Sequence, residues 1–231
     1  MARGLGRALQ TVLAQEGPGE DLEIEGPSLA NARRRALFRY LCIRPCARVG
    51  EIGRALALSH ATVRWHERDL VEKGYLEYDA GHFFPRGLID PEDSGLFSLL
   101  SAPGRSAVLL ACYSDPGVSL LDLADRVKLS RQSTSKVASE LSDLDLVTLV
   151  EDGRFRSHYP TDLLNRKREA NAPRAKAFAD AFLRRLAGEG LSPDLLRDEG
   201  GTILVRFGTA SKRVVLDLPL DPYATALRSG H

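Results

Sequence analysis

The 231-residue chain is poor in cysteine and has no long apolar run. Its three cysteines are an odd number without paired spacing, which argues against a disulfide framework and fits a reducing compartment. No segment approaches the ~18–20 apolar residues that a membrane-spanning helix needs. The first residues, MARGLGRALQTVLAQEG, contain no signal-peptide apolar core. We therefore expect a cytoplasmic protein without a membrane partner.

The short motifs that mark common catalytic sites are also missing. The chain has no GxxxxGK[ST] phosphate loop, no glycine-rich dinucleotide fingerprint and no GxSxG nucleophile elbow. Each of these motifs places a nucleophile or a phosphate against a specific backbone turn, so their absence removes the usual starting points for catalysis. We expect no enzyme activity and no cofactor.

Residues that bind metals are present but are poorly arranged for it. Cys42 and Cys46 are four positions apart but flank Pro45, and Cys112 stands alone, whereas thiolate metal sites need several converging ligands. We expect buried cysteines and no metal, with a metal- or redox-gated switch through Cys42 and Cys46 as the lesser alternative. Three histidines show no ligand spacing either: His60, His66 and His82.

Net charge is small, at +1, but it is unevenly distributed. Residues 28–90 carry +4 and residues 161–231 carry +3, whereas 1–27 and 91–160 each carry −3. A local basic excess favours contact with polyanions. The hydrophobic content of 43% and charged content of 27% are those of an ordinary globular protein.

The stretch from Val49 to Phe84 predicts a helix, a turn, a second helix and a β-wing. Ile52 and Leu56 lie one helical turn apart, as on the buried stripe of a first helix. The second helix is expected over Ser59–Lys73, with Ser59 as its N-cap and a glycine directly after it as the C-terminal cap. The run YLEY then alternates like a strand and is followed by the turn DAGH.

The same plan recurs after Pro91, at a constant offset of 71 residues. An ungapped register across two helices and a wing predicts two tandem copies of one module. The predicted fold class is therefore mainly α with small β-wings (α+β). The positions that establish the register are Pro45 and Pro116, Leu58 and Leu129, Ser59 and Ser130, Leu70 and Leu141, and Phe84 and Phe155.

The remaining segments complete a four-part division. Residues 1–27 are expected to form a helix and a linker, 28–90 and 91–160 the two winged helix-turn-helix domains, and 161–231 a dimerisation or partner-binding region. In that last region a helix over about 162–187 should be kinked or split by Pro173. Two β-branched runs after residue 201 predict a hairpin.

The second helix of the first module is the expected reader of DNA, because the major groove admits one α-helix. Arg64 is the candidate for guanine, and Thr62 or Trp65 for a thymine methyl group. Packing against a neighbouring element is an equally weighted reading for Trp65. Basic side chains are expected at phosphates: His60, Arg68 and His82, with Arg33–Arg35 of the preceding helix either joining them or forming a solvated face.

The equivalent helix of the second module carries a weaker version of this surface. Its candidates are Arg131, Gln132, Ser133 and Lys136, with Arg154 in the wing. Several acids lie nearby and would repel a phosphate backbone, namely Glu140, Asp143, Asp145, Glu151 and Asp152. The first module is therefore expected to be the main reader, and the second a weaker reader or a structural copy.

The run LSHATVRWH, followed by Leu70 and then KGYL, resembles the recognition helix of ArsR/MarR-like winged-helix transcriptional regulators. It looks closest to archaeal regulators that carry two such domains in one chain. The resemblance covers about residues 29–160 and departs from the pattern at Glu67, where an apolar residue is more usual. It implies sequence-specific binding to double-stranded DNA, usually as a homodimer, although one chain with two modules could span a site alone.

A second class of function remains open. Tandem winged helices also occur in protein-interaction scaffolds, such as the kleisin-binding partner subunits of chromosome condensation complexes. The near-neutral charge and the acidic second module favour this alternative, in which residues 161–231 would contact a protein and no DNA sequence would be read.

Overall fold

The computed structural model describes residues 28–153 and 155–228. The expected N-terminal helix and linker over 1–27 and the wing candidate Arg154 lie outside the described residues.

The first helix-turn-helix unit begins with a short 3-10 turn and contains three helices and a hairpin. The turn is Ser28–Ala30, and the helices are α1 (Ala32–Ile43), α2 (Val49–Leu56) and α3 (His60–Glu72). An antiparallel pair of strands, β1 (Leu76–Asp79) and β2 (His82–Pro85), forms the wing.

A second unit has its elements in the same order, after a 3-10 turn at Pro91–Asp93 and a helix that the sequence did not predict, α4 (Ser94–Ser101). The bounds of α5, α6 and α7 equal those of α1, α2 and α3 shifted by 71 residues. Its strands form one antiparallel sheet of order β3-β5-β4. The elements are α5 (Pro103–Ser114), β3 (Val118–Ser119), α6 (Leu120–Val127), α7 (Arg131–Asp143), β4 (Val147–Asp152) and β5 (Phe155–Pro160).

The rest of the described chain is one long helix, a three-stranded sheet and a short helix: α8 (Leu163–Gly188), β6 (Asp194–Glu199), β7 (Thr202–Gly208), β8 (Arg213–Pro219) and α9 (Pro222–Arg228). The predicted hairpin is confirmed as β7 and β8, and β6 extends it into an antiparallel sheet of order β6-β7-β8. Helix α8 continues through Pro173, so the expected split of this helix is wrong. The α+β class with small antiparallel sheets is confirmed.

Helices α3 and α7 start and end with capping arrangements of the same type. The Ser59 side chain accepts a hydrogen bond from the backbone of Thr62 at 3.1 Å, and the equivalent serine caps α7. At the end of α3, Gly74 has a φ of 74°, and the next amide bonds back to the carbonyl of Leu70 at 2.8 Å. This is a Schellman motif, and Asp145 takes the glycine's place after α7 with a φ of 55°.

Helix α8 completes the core of the first unit. The rings of Phe178 and Phe182 stack on Phe38 of α1, with centroids 6.5 and 5.5 Å away. Tyr75, at the start of the wing, meets Phe38 edge-on at 5.6 Å. Aromatic contacts of this kind add stability beyond their buried area, so the long helix is fixed to α1 and to the wing.

Two of the three consecutive arginines on α1 are buried, which corrects the expectation of a solvated, phosphate-binding face. Only Arg33 is exposed, whereas Arg34 and Arg35 are 3% and 7% exposed. Arg34 pairs with Asp69 of α3, and Arg35 donates to the carbonyls of the preceding 3-10 turn. Helix α1 lies between other elements on most sides, so its charged positions are used for internal contacts.

Within the described residues no single helix is long and apolar enough to cross a membrane. The segments 91–101 and 103–114 meet that criterion only together, and they are bent by 93° relative to each other.

The turn between α2 and α3 gives a test of this packing. A Cβ at Gly53 would lie 2.8 Å from the Leu58 carbonyl oxygen, whereas one at Gly50 would make only ordinary contacts, at 3.6 Å or more. We expect Gly53→Ala to lower the free energy of unfolding by about 1 kcal/mol, because the overpacking outweighs the gain in helix propensity. Gly50→Ala is expected to be neutral or stabilising by up to ~1 kcal/mol.

Urea unfolding of both variants measures the difference. The second unit shows how the turn can relax: Ala124 occupies the equivalent position, and the hydrogen bond to its carbonyl is 3.2 Å long instead of 2.9 Å. Equal stability of the two variants would contradict the prediction.

Candidate nucleic-acid interface

Helix α3 has one buried stripe and one exposed stripe, as its 3.6-residue period requires. The buried side chains are Val63, His66, Glu67 and Leu70. The exposed stripe, which we call the outer face, consists of Ala61, Arg64, Trp65, Arg68 and Glu72.

Arg64 and Arg68 lie one turn apart on the outer face, and neither has an ion-pair partner at contact distance in the described part of the chain. Both guanidinium groups are therefore available to a ligand. Each presents a planar fork of donors that matches phosphate or the edge of guanine. Glu72, at the C-terminal end of the same face, was not considered from the sequence.

The hydroxyls of two residues predicted to contact DNA, Thr62 and Ser133, are engaged in helix capping. The Thr62 hydroxyl is 2.8 Å from that of Ser59, and the Ser130 hydroxyl donates to Ser133 at 2.9 Å. Ser133 itself is exposed. The Thr62 methyl group, which is the part expected to meet a thymine methyl group, takes no part in this hydrogen bond.

The two histidine candidates differ in position. The His60 ring lies against α2, within 3.6 Å of where a Cβ of Gly50 would be and 3.5 Å of one at Gly53. It is exposed on its other side. His82 is half-buried at the start of β2, paired in register with Asp79.

Trp65 both packs and remains exposed. Its ring is 4.9 Å from the His66 ring and 5.5 Å from the guanidinium carbon of Arg34, a cation–π arrangement. At 45% exposure, part of the indole still faces outward. The two readings of Trp65 from the sequence therefore describe two sides of the same ring.

Contacts near its C-terminal end hold α3 in place. Asp69 receives Arg34 at 2.6 Å and the Ser28 hydroxyl at 2.6 Å. At the C-terminal end, Arg185 of α8 donates to the carbonyl of Lys73 at 2.6 Å, where a cation also complements the helix dipole. A Cβ at the following glycine would lie 2.2 Å from that guanidinium, so a side chain at this position would displace the Arg185 contact.

Glu67 is fully buried, and neither carboxyl oxygen has a hydrogen-bond partner. Desolvation raises the pKa of this carboxyl to about 7, against a smaller opposing effect of Arg64. The equivalent position in α7 is Ala138, also buried. The sequence showed that Glu67 departs from an apolar pattern. It did not show that the carboxyl is buried without a hydrogen-bond partner among the described residues.

The outer face of α7 is less basic than that of α3. All four predicted residues on this helix are exposed: Arg131, Gln132, Ser133 and Lys136. Serines occupy the positions equivalent to the two α3 arginines, namely Ser135 and Ser139.

Two of the nearby acids that were expected to repel DNA are neutralised internally. Glu140 pairs with Arg105 at 2.6 Å, and this hydrogen bond lowers the pKa of the Glu140 carboxyl. Glu151 pairs with Arg156 at 2.8 Å. The repulsion is therefore smaller than a count of the acids indicates.

The cysteines are all buried and free. Burial raises the pKa of the thiols, to about 12 for Cys46 and about 11 for Cys112, and it raises that of Cys42 further. Thiolate is the form that binds metals and reacts with oxidants, so burial disfavours both roles. Among the described residues no group of His, Cys, Asp and Glu side chains is placed to hold a metal ion.

Comparisons with known proteins do not assign this chain to a family. No family model and no curated protein matches the chain. The PcaV transcriptional regulator from Streptomyces coelicolor, solved in complex with its natural ligand, is 29% identical, with a TM-score of 0.26, over 37% of this chain and 63% of that one. The DIP2311 protein from Corynebacterium diphtheriae is 16% identical, with a TM-score of 0.23, over 55% and 26%. The chain thus spans less than two thirds of either structure.

The buried carboxyl gives a pH test. Below its unfolded pKa of 4.5 both states hold the proton; between 4.5 and about 7 only the folded state does, so the free energy of unfolding falls as pH rises. Above about pH 7 the full loss, on the order of 3 kcal/mol, is present. We expect Glu67→Gln to match the parent at about pH 4 and to exceed it by that order at about pH 8.

Denaturant unfolding across this range measures the effect, with Glu72→Gln as the exposed control on the same helix. If the parent protein and Glu67→Gln kept the same difference in stability at every pH, the unpaired buried carboxyl would not behave as described.

The thiols give a second test. Because all three are buried and protonated, we expect an aromatic disulfide reagent such as DTNB to label the native protein only as fast as it unfolds, and to label all three thiols at once in denaturant. Rapid labelling of one thiol in the native state would reopen the redox alternative.

Proposed function

We propose that the chain is a sequence-specific, DNA-binding transcriptional regulator of the cytoplasm, in which α3 enters the major groove of double-stranded DNA. The observation that carries the proposal is the outer face of α3, where two arginines without an ion-pair partner among the described residues lie beside a half-exposed indole. The C-terminal end of this helix is fixed by contacts with α1 and α8. A rigid helix with free guanidinium groups suits both phosphate contact and base reading.

The residues divide into two roles. Arg64, nearer the helix N-terminus, reads a guanine edge, and Trp65 with the Thr62 methyl group contacts thymine. Arg68, with His60 and His82 at the edges of the surface, contacts phosphates and sets the position of the helix.

The repeated helix bounds support a second winged-helix module in the same chain. With one lysine and serines on its outer face, α7 serves as a weaker DNA contact. The proposed assembly is a homodimer, which would pair two reading helices on a near-palindromic site. Within residues 161–231, α8 is committed to the core of the first unit, so a dimer or protein contact would use the sheet and α9.

Selection of bound fragments from random DNA, followed by binding measurements over a range of salt concentrations, tests this function. We expect Arg64→Ala to weaken binding to the selected site by about 1–3 kcal/mol and to relax specificity at one base. Arg68→Ala should weaken binding to all sequences and reduce the salt slope by about 1.

Arg197→Ala is the matched control, because it removes an exposed positive charge on β6 and should leave DNA binding unchanged. Absence of binding to any DNA at low salt would refute the regulator and favour the protein-interaction scaffold. Binding that both α3 variants leave intact would instead assign DNA contact to another surface.

A further inference from the structure

A groove of about 730 Å³ lies between α8 and the turn that joins β6 to β7. This volume is in the range of small-molecule sites. Its apolar lining comes from small or aliphatic side chains, Ala172, Ala175, Ala179 and Leu220, and the other walls are polar. None of the residues proposed to contact DNA lines it.

Asn171 supplies a fixed acceptor in this groove. The residue is 6% exposed, and its amide nitrogen donates to the carbonyl of Leu88 at 3.0 Å. This bond sets the orientation of the amide, because a carbonyl can be met only by the NH₂ end. The amide oxygen accepts no hydrogen bond from the described residues, and the side chain lines the groove.

Two carboxylates lie at the rim without a cation of their own. Asp162 and Asp221 also line the groove but are paired, with Arg166 at 3.8 Å and with Arg168 at 2.5 Å. The acids without an ion-pair partner in the described structure are Glu169 and Asp198. Lys176 is the one basic lining residue that also has no ion-pair partner in the described structure. The unpaired side chains that line the groove therefore carry a net negative charge.

Pro173 adds a further acceptor on the same helix. Proline has no amide hydrogen, so the carbonyl of Glu169, four residues earlier, loses its helical donor. An amide oxygen, a backbone carbonyl and two carboxylates therefore belong to residues that line the groove, and all of them are hydrogen-bond acceptors.

We propose that this groove binds a small primary ammonium with an apolar body. The ammonium group has three donors for the acceptor oxygens, and the apolar body covers the alanine and leucine floor. The Asn171 amide oxygen, which accepts no hydrogen bond from the described residues, can accept one from the ammonium, while the rim carboxylates balance its charge.

The same helix links the groove to α3. Its early turns hold the segment after the first wing, through Asn171 and through Arg174, which pairs with Asp90 at 2.8 Å. Its last turns carry the two phenylalanines on α1 and the Arg185 contact to the end of α3. We therefore expect a ligand in the groove to affect α3 through α8. This second part of the inference rests on the proposed function.

Binding is tested on the full chain with three probes of similar shape: 2-phenylethylamine, 2-phenylethanol and 3-phenylpropionate. We expect the amine to bind with a dissociation constant of about 1 mM or tighter, measured by calorimetry and by amide NMR shifts on α8. The alcohol and the carboxylate should bind at least about tenfold more weakly, since neither brings a positive charge to the two rim carboxylates.

The double variant Glu169→Gln/Asp198→Asn should lose about tenfold in amine affinity without loss of stability, because both side chains are exposed. Asp180→Asn, an exposed acid on α8 that does not line the groove, is the control and should bind as the parent does. Equal affinity for amine and alcohol, or shifts that do not map to the groove, would overturn the proposal.

DNA affinity is then measured with and without saturating amine. A change in the parent that the double variant lacks supports the link, and an unchanged DNA affinity despite bound amine refutes it. Binding of amine without binding of DNA would support the groove proposal and refute the DNA-binding regulator. Binding of DNA without binding of amine would refute the groove proposal and leave the regulator supported.

Discussion

The ion pair between Arg34 and Asp69 sets the position of the proposed reading helix. Arg34 is almost fully buried in α1, and Asp69 lies on α3, so the pair ties the two helices together from inside the first unit. Removing one partner of a buried pair leaves an uncompensated charge, at a cost of about 3–5 kcal/mol. The same guanidinium lies against the Trp65 ring, so the angle of α3 and the placement of its indole depend on one side chain.

Helices α3 and α7 share a backbone plan and differ in charge. Their caps and bounds correspond position by position, but serines on α7 occupy the positions equivalent to Arg64 and Arg68 of α3. Near a phosphate backbone, each cation contributes to affinity through counterion release, and a serine does not. The same framework can therefore support a strong contact in one unit and a weak one in the other.

Local signals explain what the sequence could predict. The N-cap serines, the apolar spacing of α2 and α3 and the glycine after α3 are all short-range patterns, and the corresponding elements have the expected bounds within a few residues. The burial of Arg34 depends on Asp69, which is 35 positions away, so no local pattern could show it. Strand β6 was missed because DLLRDE has little alternation, and its place in the sheet depends on pairing with β7, including an ion pair between Asp194 and Arg206. The isolation of Glu67 is likewise a property of the packed core.

The only tryptophan of the chain is on the outer face of α3. Its ring lies between the Arg34 guanidinium, the His66 ring and open solvent. Indole emission responds to nearby charge and to water, so the protein carries an intrinsic optical probe at the surface proposed to contact DNA. Its fluorescence reports on that surface alone, without a label and without a background from a second indole.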